Sequence, residues 1–96
     1  MKIKKEYLVF REDAKRLAKA SASQMQRQGV SRLSWDFSST RFISRSFADE
    51  LLSIIAKMQK EHTRIRIVGL EPKLQKFIAL VRQARQKAHK EILSAA

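Results

Sequence analysis

Over residues 32–37 the chain alternates strictly, with Leu33, Trp35 and Phe37 interleaved with Arg32, Ser34 and Asp36. A period of two sends successive side chains to opposite faces, so this run reads as a strand with one apolar and one wet face. The alternation returns at residues 64–68, where Ile65 and Ile67 interleave with Arg64 and Arg66 before Gly69 closes the run. After each run the apolar spacing lengthens to three and four residues. Phe47, Ala48, Leu51, Leu52, Ile54, Ile55 and Met58 form one stripe, and Leu74, Phe77, Ile78, Val81, Ala84 and Ala88 form another behind Pro72. Such stripes mark amphipathic helices, and proline suits a helix's first turn.

The same succession opens the chain. Residues 7–10 (Tyr-Leu-Val-Phe) have the aromatic and β-branched bias of a buried strand, and Ala14, Leu17, Ala18, Ser21 and Met25 then recur with helical spacing up to Gly29. Strand and helix alternating three times predict an α/β fold, a small, mainly parallel sheet of three or four strands. The polar alternate residues favour helices mostly on one face, because right-handed crossovers that advance in one direction stay on one side. The open face would then gather Arg32, Arg64 and Arg66, with Asp36 among them. Phe42 and Ile43 form a further apolar pair after the turn-like Ser38, Ser39 and Thr40.

With 96 residues the chain has enough material for one core, so residues 1–96 read as a single domain. It has no cysteine, which excludes disulfides and thiolate metal sites and fits a cytoplasmic location. No apolar run is long enough for a membrane span or a signal segment. The 21 Lys and Arg residues outnumber the 9 Asp and Glu, for a net charge of +12, which attracts polyanions and acidic protein surfaces.

Catalytic chemistry finds little support. With Gly29 and Gly69 as the only glycines there is no glycine-rich phosphate loop. His62 and His89 stand on different elements without ligand spacing and read as surface residues, so neither a metal nor another cofactor is expected. Asp49 and Glu50 point about 100° apart on a helix and do not make a shared carboxylate site. Trp35 is in phase with the apolar side of its strand, which assigns it to the core.

Ser44 and Ser46 precede the second helical stripe, and Ser46 with Asp49 three residues on matches a capping box, in which each side chain satisfies a free backbone N–H. A phosphate on Ser46 would gain from the helix N-terminus and from Arg41 and Arg45 nearby.

Residues 35–51, Trp-Asp-Phe-Ser-Ser-Thr-Arg-Phe-Ile-Ser-Arg-Ser-Phe-Ala-Asp-Glu-Leu, resemble the signature of the STAS-like family, in which an "LDFSG" strand end is followed by "FIS", one variable residue and "SFADEL". The resemblance implies a non-enzymatic, regulatory protein-interaction module of the kind found in anti-sigma factor antagonists, docking on an ATPase or kinase-like partner through the start of its second helix. It implies Ser46 as the phosphosite, with Ser44, Arg45, Asp49 and Arg41 around it. Where the antagonists carry Asp-Ser-Ser-Gly, this chain has Ser44, Arg45, Ser46 and Phe47. The alternative reading is a basic nucleic-acid-binding accessory protein that uses Arg32, Arg64 and Arg66. Unpaired strand edges in so small a sheet make a homodimer a further expectation.

Overall fold

The computed structural model describes the backbone of residues 1–95 and the side-chain surroundings of residues 1–88, so His89 lies outside the described residues. Seven elements follow in order: β1 (Tyr7–Leu8), α1 (Arg11–Gln28), β2 (Arg32–Asp36), β3 (Phe42–Ile43), α2 (Arg45–Lys60), β4 (Arg64–Val68) and α3 (Pro72–Ala95). The arrangement is mixed α/β with parallel strand pairing. The ladders fall into two two-stranded sheets, β2 with β4 and β1 with β3, where the sequence pattern predicts one sheet of three or four strands.

The reason lies at the edge of β2 away from β4. Residues 1–3 take that edge: Ile3 N–H donates to Asp36 O at 2.9 Å and Asp36 N–H donates to Met1 O at 2.9 Å. The 7–10 run, expected beside β2, is left to pair with Phe42 and Ile43. Two residues per strand suffice there because each end is tied further, Arg41 N–H to Glu6 O at 2.8 Å and Ser44 N–H to Leu8 O at 2.9 Å.

In β2 and β4 the register sets Arg32 beside Arg64, Leu33 beside Ile65, Ser34 beside Arg66 and Trp35 beside Ile67. The apolar side faces the helices. Trp35 is fully buried, stands edge-on to Phe37 with ring centroids 6.4 Å apart, and donates its indole N–H to Ser21 Oγ of α1 at 2.8 Å. Ser21 in turn donates to Leu17 O at 2.7 Å, so the one polar group that Trp35 carries inward is satisfied. Phe37, Ile43, Phe47 and Leu51 complete the fully buried centre. Each such side chain contributes about 1.5–3 kcal/mol by leaving water.

The helix ends follow local chemistry. At the start of α1 the Asp13 carboxylate accepts from Phe10 N–H at 3.3 Å and pairs with Lys5 at 2.9 Å and Arg16 at 3.3 Å. Asp13 is held below the usual carboxylate range, chiefly by Lys5, while burial pushes the other way. Gly29 ends the helix at φ 66°, freeing Val30 N–H to reach Met25 O at 3.1 Å. In α3, Leu74, Ile78 and Val81 are buried, but Ala84 and Ala88 are exposed, so the predicted stripe ends about two turns earlier than its spacing suggests. Past Val81 the side of the helix turned to α2 carries the half-buried Arg85.

Candidate interaction surface

The start of α2 is built by Ser44, the last residue before the helix. Its hydroxyl accepts from Phe47 N–H at 3.0 Å and donates to Val9 O, which binds the helix start to the end of β1. Ser44 is therefore the cap, two residues earlier than the Ser46–Asp49 pattern places it. The pattern misleads because Asp49 is drawn elsewhere. Ser46 occupies the second helical position, exposed to solvent, next to exposed Arg45.

Asp49 closes the three helices together. Arg85 of α3 donates to its Oδ1 at 2.6 Å and to its backbone oxygen at 3.0 Å, and reaches Ser53 Oγ at 2.9 Å with its other nitrogen. Arg11 of α1 meets Asp49 Oδ2 at 3.1 Å and Glu50 Oε2 at 3.4 Å. The Arg85 hydrogen bond holds the Asp49 carboxyl below the usual range; partial burial opposes this and Arg11 adds to it. Of the residues predicted to form one contact surface, Asp49 is thus engaged by other helices, Arg41 is exposed and ion-paired with Glu71 at 3.6 Å, and Arg45 and Ser46 are exposed at the surface.

Sequence reading missed the aromatic neighbours of that surface. Tyr7 and Phe42 are register partners whose chain neighbours Leu8 and Ile43 point into the core, so both rings face outward, 58% and 47% exposed. Val9 continues that face and Phe10 is 63% exposed, so the 7–10 run, expected to be buried, buries only Leu8. The Ser44–Val9 bond sets this apolar patch directly against the start of α2. Alternation over two residues is too short to reveal from sequence which side faces out.

Arg32, Arg64 and Arg66 are brought together on the outer side of β2–β4, with Ser34 between them, all exposed. They border a recess of about 760 Å³ that reaches Gln59 and Thr63. Among the described residues none of the three pairs with a carboxylate. Asp36, expected among them, accepts instead from Ser38 N–H at 2.9 Å, and that bond holds its carboxyl below the usual range. Gly69 permits this turn: at φ 73° it leaves room where a Cβ would come within 2.6 Å of Asp36 Oδ1.

Among the described residues there is no cluster of potential metal ligands, and no helix is long and apolar enough to cross a membrane. No family model matches the chain, nor does any curated protein or solved structure.

Proposed function

We propose that this protein is a non-enzymatic, regulatory interaction module that docks on a protein partner through the start of α2 and the outer face of β1–β3. The observation that carries this reading is the outward-facing group of Tyr7, Phe10 and Phe42 beside Arg45 and Ser46. Aromatic side chains fixed on short strands offer contact area at little entropic loss, and with arginine they dominate interface cores. The complementary partner presents an apolar groove edged by acidic groups, since Arg41 and Arg45 flank the patch within a chain of net charge +12.

The likeness of residues 35–51 to the STAS-like family makes that partner an ATPase or kinase-like protein in the cytoplasm. On the same reading the two short sheets correspond to one interrupted STAS-type sheet, and phosphorylation at Ser46 regulates docking by adding about 1.5–2 negative charges to a surface that selects acidic partners.

The test is affinity capture with the full chain after nuclease treatment, followed by reconstitution with each purified candidate. A specific partner should bind wild type and lose at least tenfold in affinity to Phe10→Ser with Phe42→Ser, and to Ser46→Glu, while keeping its affinity for Arg64→Gln. Retention that ignores the aromatic substitutions sinks the proposal. So does sedimentation showing that the patch merely joins two copies of this chain.

A further inference from the structure

We infer that the outer face of β2–β4 binds the phosphate backbone of a nucleic acid, independently of the aromatic surface. Register forces Arg32 directly beside Arg64, with Arg66 next along the strand. Like charges opposite one another across strands are unfavourable, and a chain normally relieves them with an interleaved carboxylate. Here the nearest acid in the alternation, Asp36, is turned into its own Ser38 turn, and no other described carboxylate reaches the three guanidinium groups. Among the described residues the face is thus a cluster of positive charge lacking an internal counterion.

Two features favour a phosphate chain as occupant. The arginines stand along a recess of about 760 Å³ that is lined by Arg32, Ser34, Arg64 and Arg66 together with Leu33, Ile65, Gln59 and Thr63. His62 continues this margin beyond Arg32 and Arg64, adding ring N–H capacity in a separate shallow depression. Guanidinium forks bind phosphate oxygens bidentately, and no aromatic ring stands on this face to stack on bases, so recognition is of backbone and not of sequence.

Fluorescence anisotropy of the full chain with a labelled DNA duplex, and with single-stranded RNA of equal length, tests this across about 50–200 mM salt. Three phosphate contacts give a slope of log K against log salt near −2.7 on duplex and about −2 on single strands. The variant Arg32→Gln, Arg64→Gln and Arg66→Gln should lose that slope, which amounts to about a fortyfold smaller fall in duplex affinity over this range. A control of equal net charge, Lys15→Gln, Lys19→Gln and Lys76→Gln, should change the slope by less than about one contact. Phe10→Ser with Phe42→Ser should leave it unchanged, which separates this site from the docking surface. Should the triple variant not fold by circular dichroism, Arg66→Glu alone repeats the test with the loss of at least about one contact. Equal losses in the arginine and lysine variants, or no binding by wild type at the lowest salt, overturn the inference; the two probes decide between duplex and single strand.

Discussion

Arg11 and Arg85 reach one carboxylate, Asp49, at 3.1 and 2.6 Å, whereas Arg32, Arg64 and Arg66 reach none among the described residues. Both groups are arginines on regular elements, and the difference is what packing delivers to them. The helices converge, so a single acid on α2 serves two neighbours and each added bond holds groups already ordered. On the outer side of the β2–β4 ladder, no carboxylate among the described residues pairs with Arg32, Arg64 or Arg66. With 9 acidic residues against 21 basic ones, the position of each carboxylate decides which surface stays cationic. Here the described ion pairs gather at the helices and their junctions, leaving one sheet face for an external anion.

The contrast is sharpest in stability. Asp49→Ala removes the shared acceptor of two helices and should lose about 2–3 kcal/mol, the range for charged hydrogen bonds whose partners are left behind. Thermal unfolding by circular dichroism should show a fall of roughly 10–20 °C for a domain of this size. A fall no larger than that of Arg64→Gln would erase the distinction between the two groups.

Acid should act on the same clasp. Asp49 and Asp13 have folded values below their unfolded ones, so their contribution is fully present above about pH 4 and disappears as pH drops through the lower folded values. Denaturant titrations over this range should therefore show wild type losing more stability than Asp49→Ala, which no longer has that proton to take up. Parallel curves would assign acid sensitivity to other groups.

The smallest effect belongs to the open face. Replacing Arg32, Arg64 and Arg66 by glutamine relieves repulsion without breaking any described ion pair, so the free protein should be unchanged or gain up to about 1 kcal/mol. Wild type should also gain stability on adding salt, which screens exposed charges over about 8–10 Å, and the variant should gain less. A destabilised variant would mean that these side chains hold the fold.

Much of the architecture was legible in the residues. The alternations at 32–37 and 64–68 place β2 and β4 on one apolar side, and the helical stripes, Pro72 and Gly29 mark helices where they occur. What local pattern could not show was pairing. Residues 1–3 lack any strand signature yet hold the edge of β2, because a strand edge accepts whatever backbone the chain geometry brings to it. Helix capping was off by two residues for a related reason: Asp49 fits the capping spacing, but two guanidinium groups from other helices compete for it.

By itself the sequence determined the periodicities, the surplus of positive charge and the meeting of Arg64 and Arg66 on one side of a strand, since these depend only on neighbours along the chain. Tertiary structure alone decided that Tyr7 and Phe42 face outward together, that Asp49 is drawn to two other helices, and that Asp36 turns to Ser38 instead of joining Arg32, Arg64 and Arg66. Each of those outcomes depends on which distant segments share an edge or an interface, and only the closing of the core around Trp35, Phe37 and Phe47 selects them.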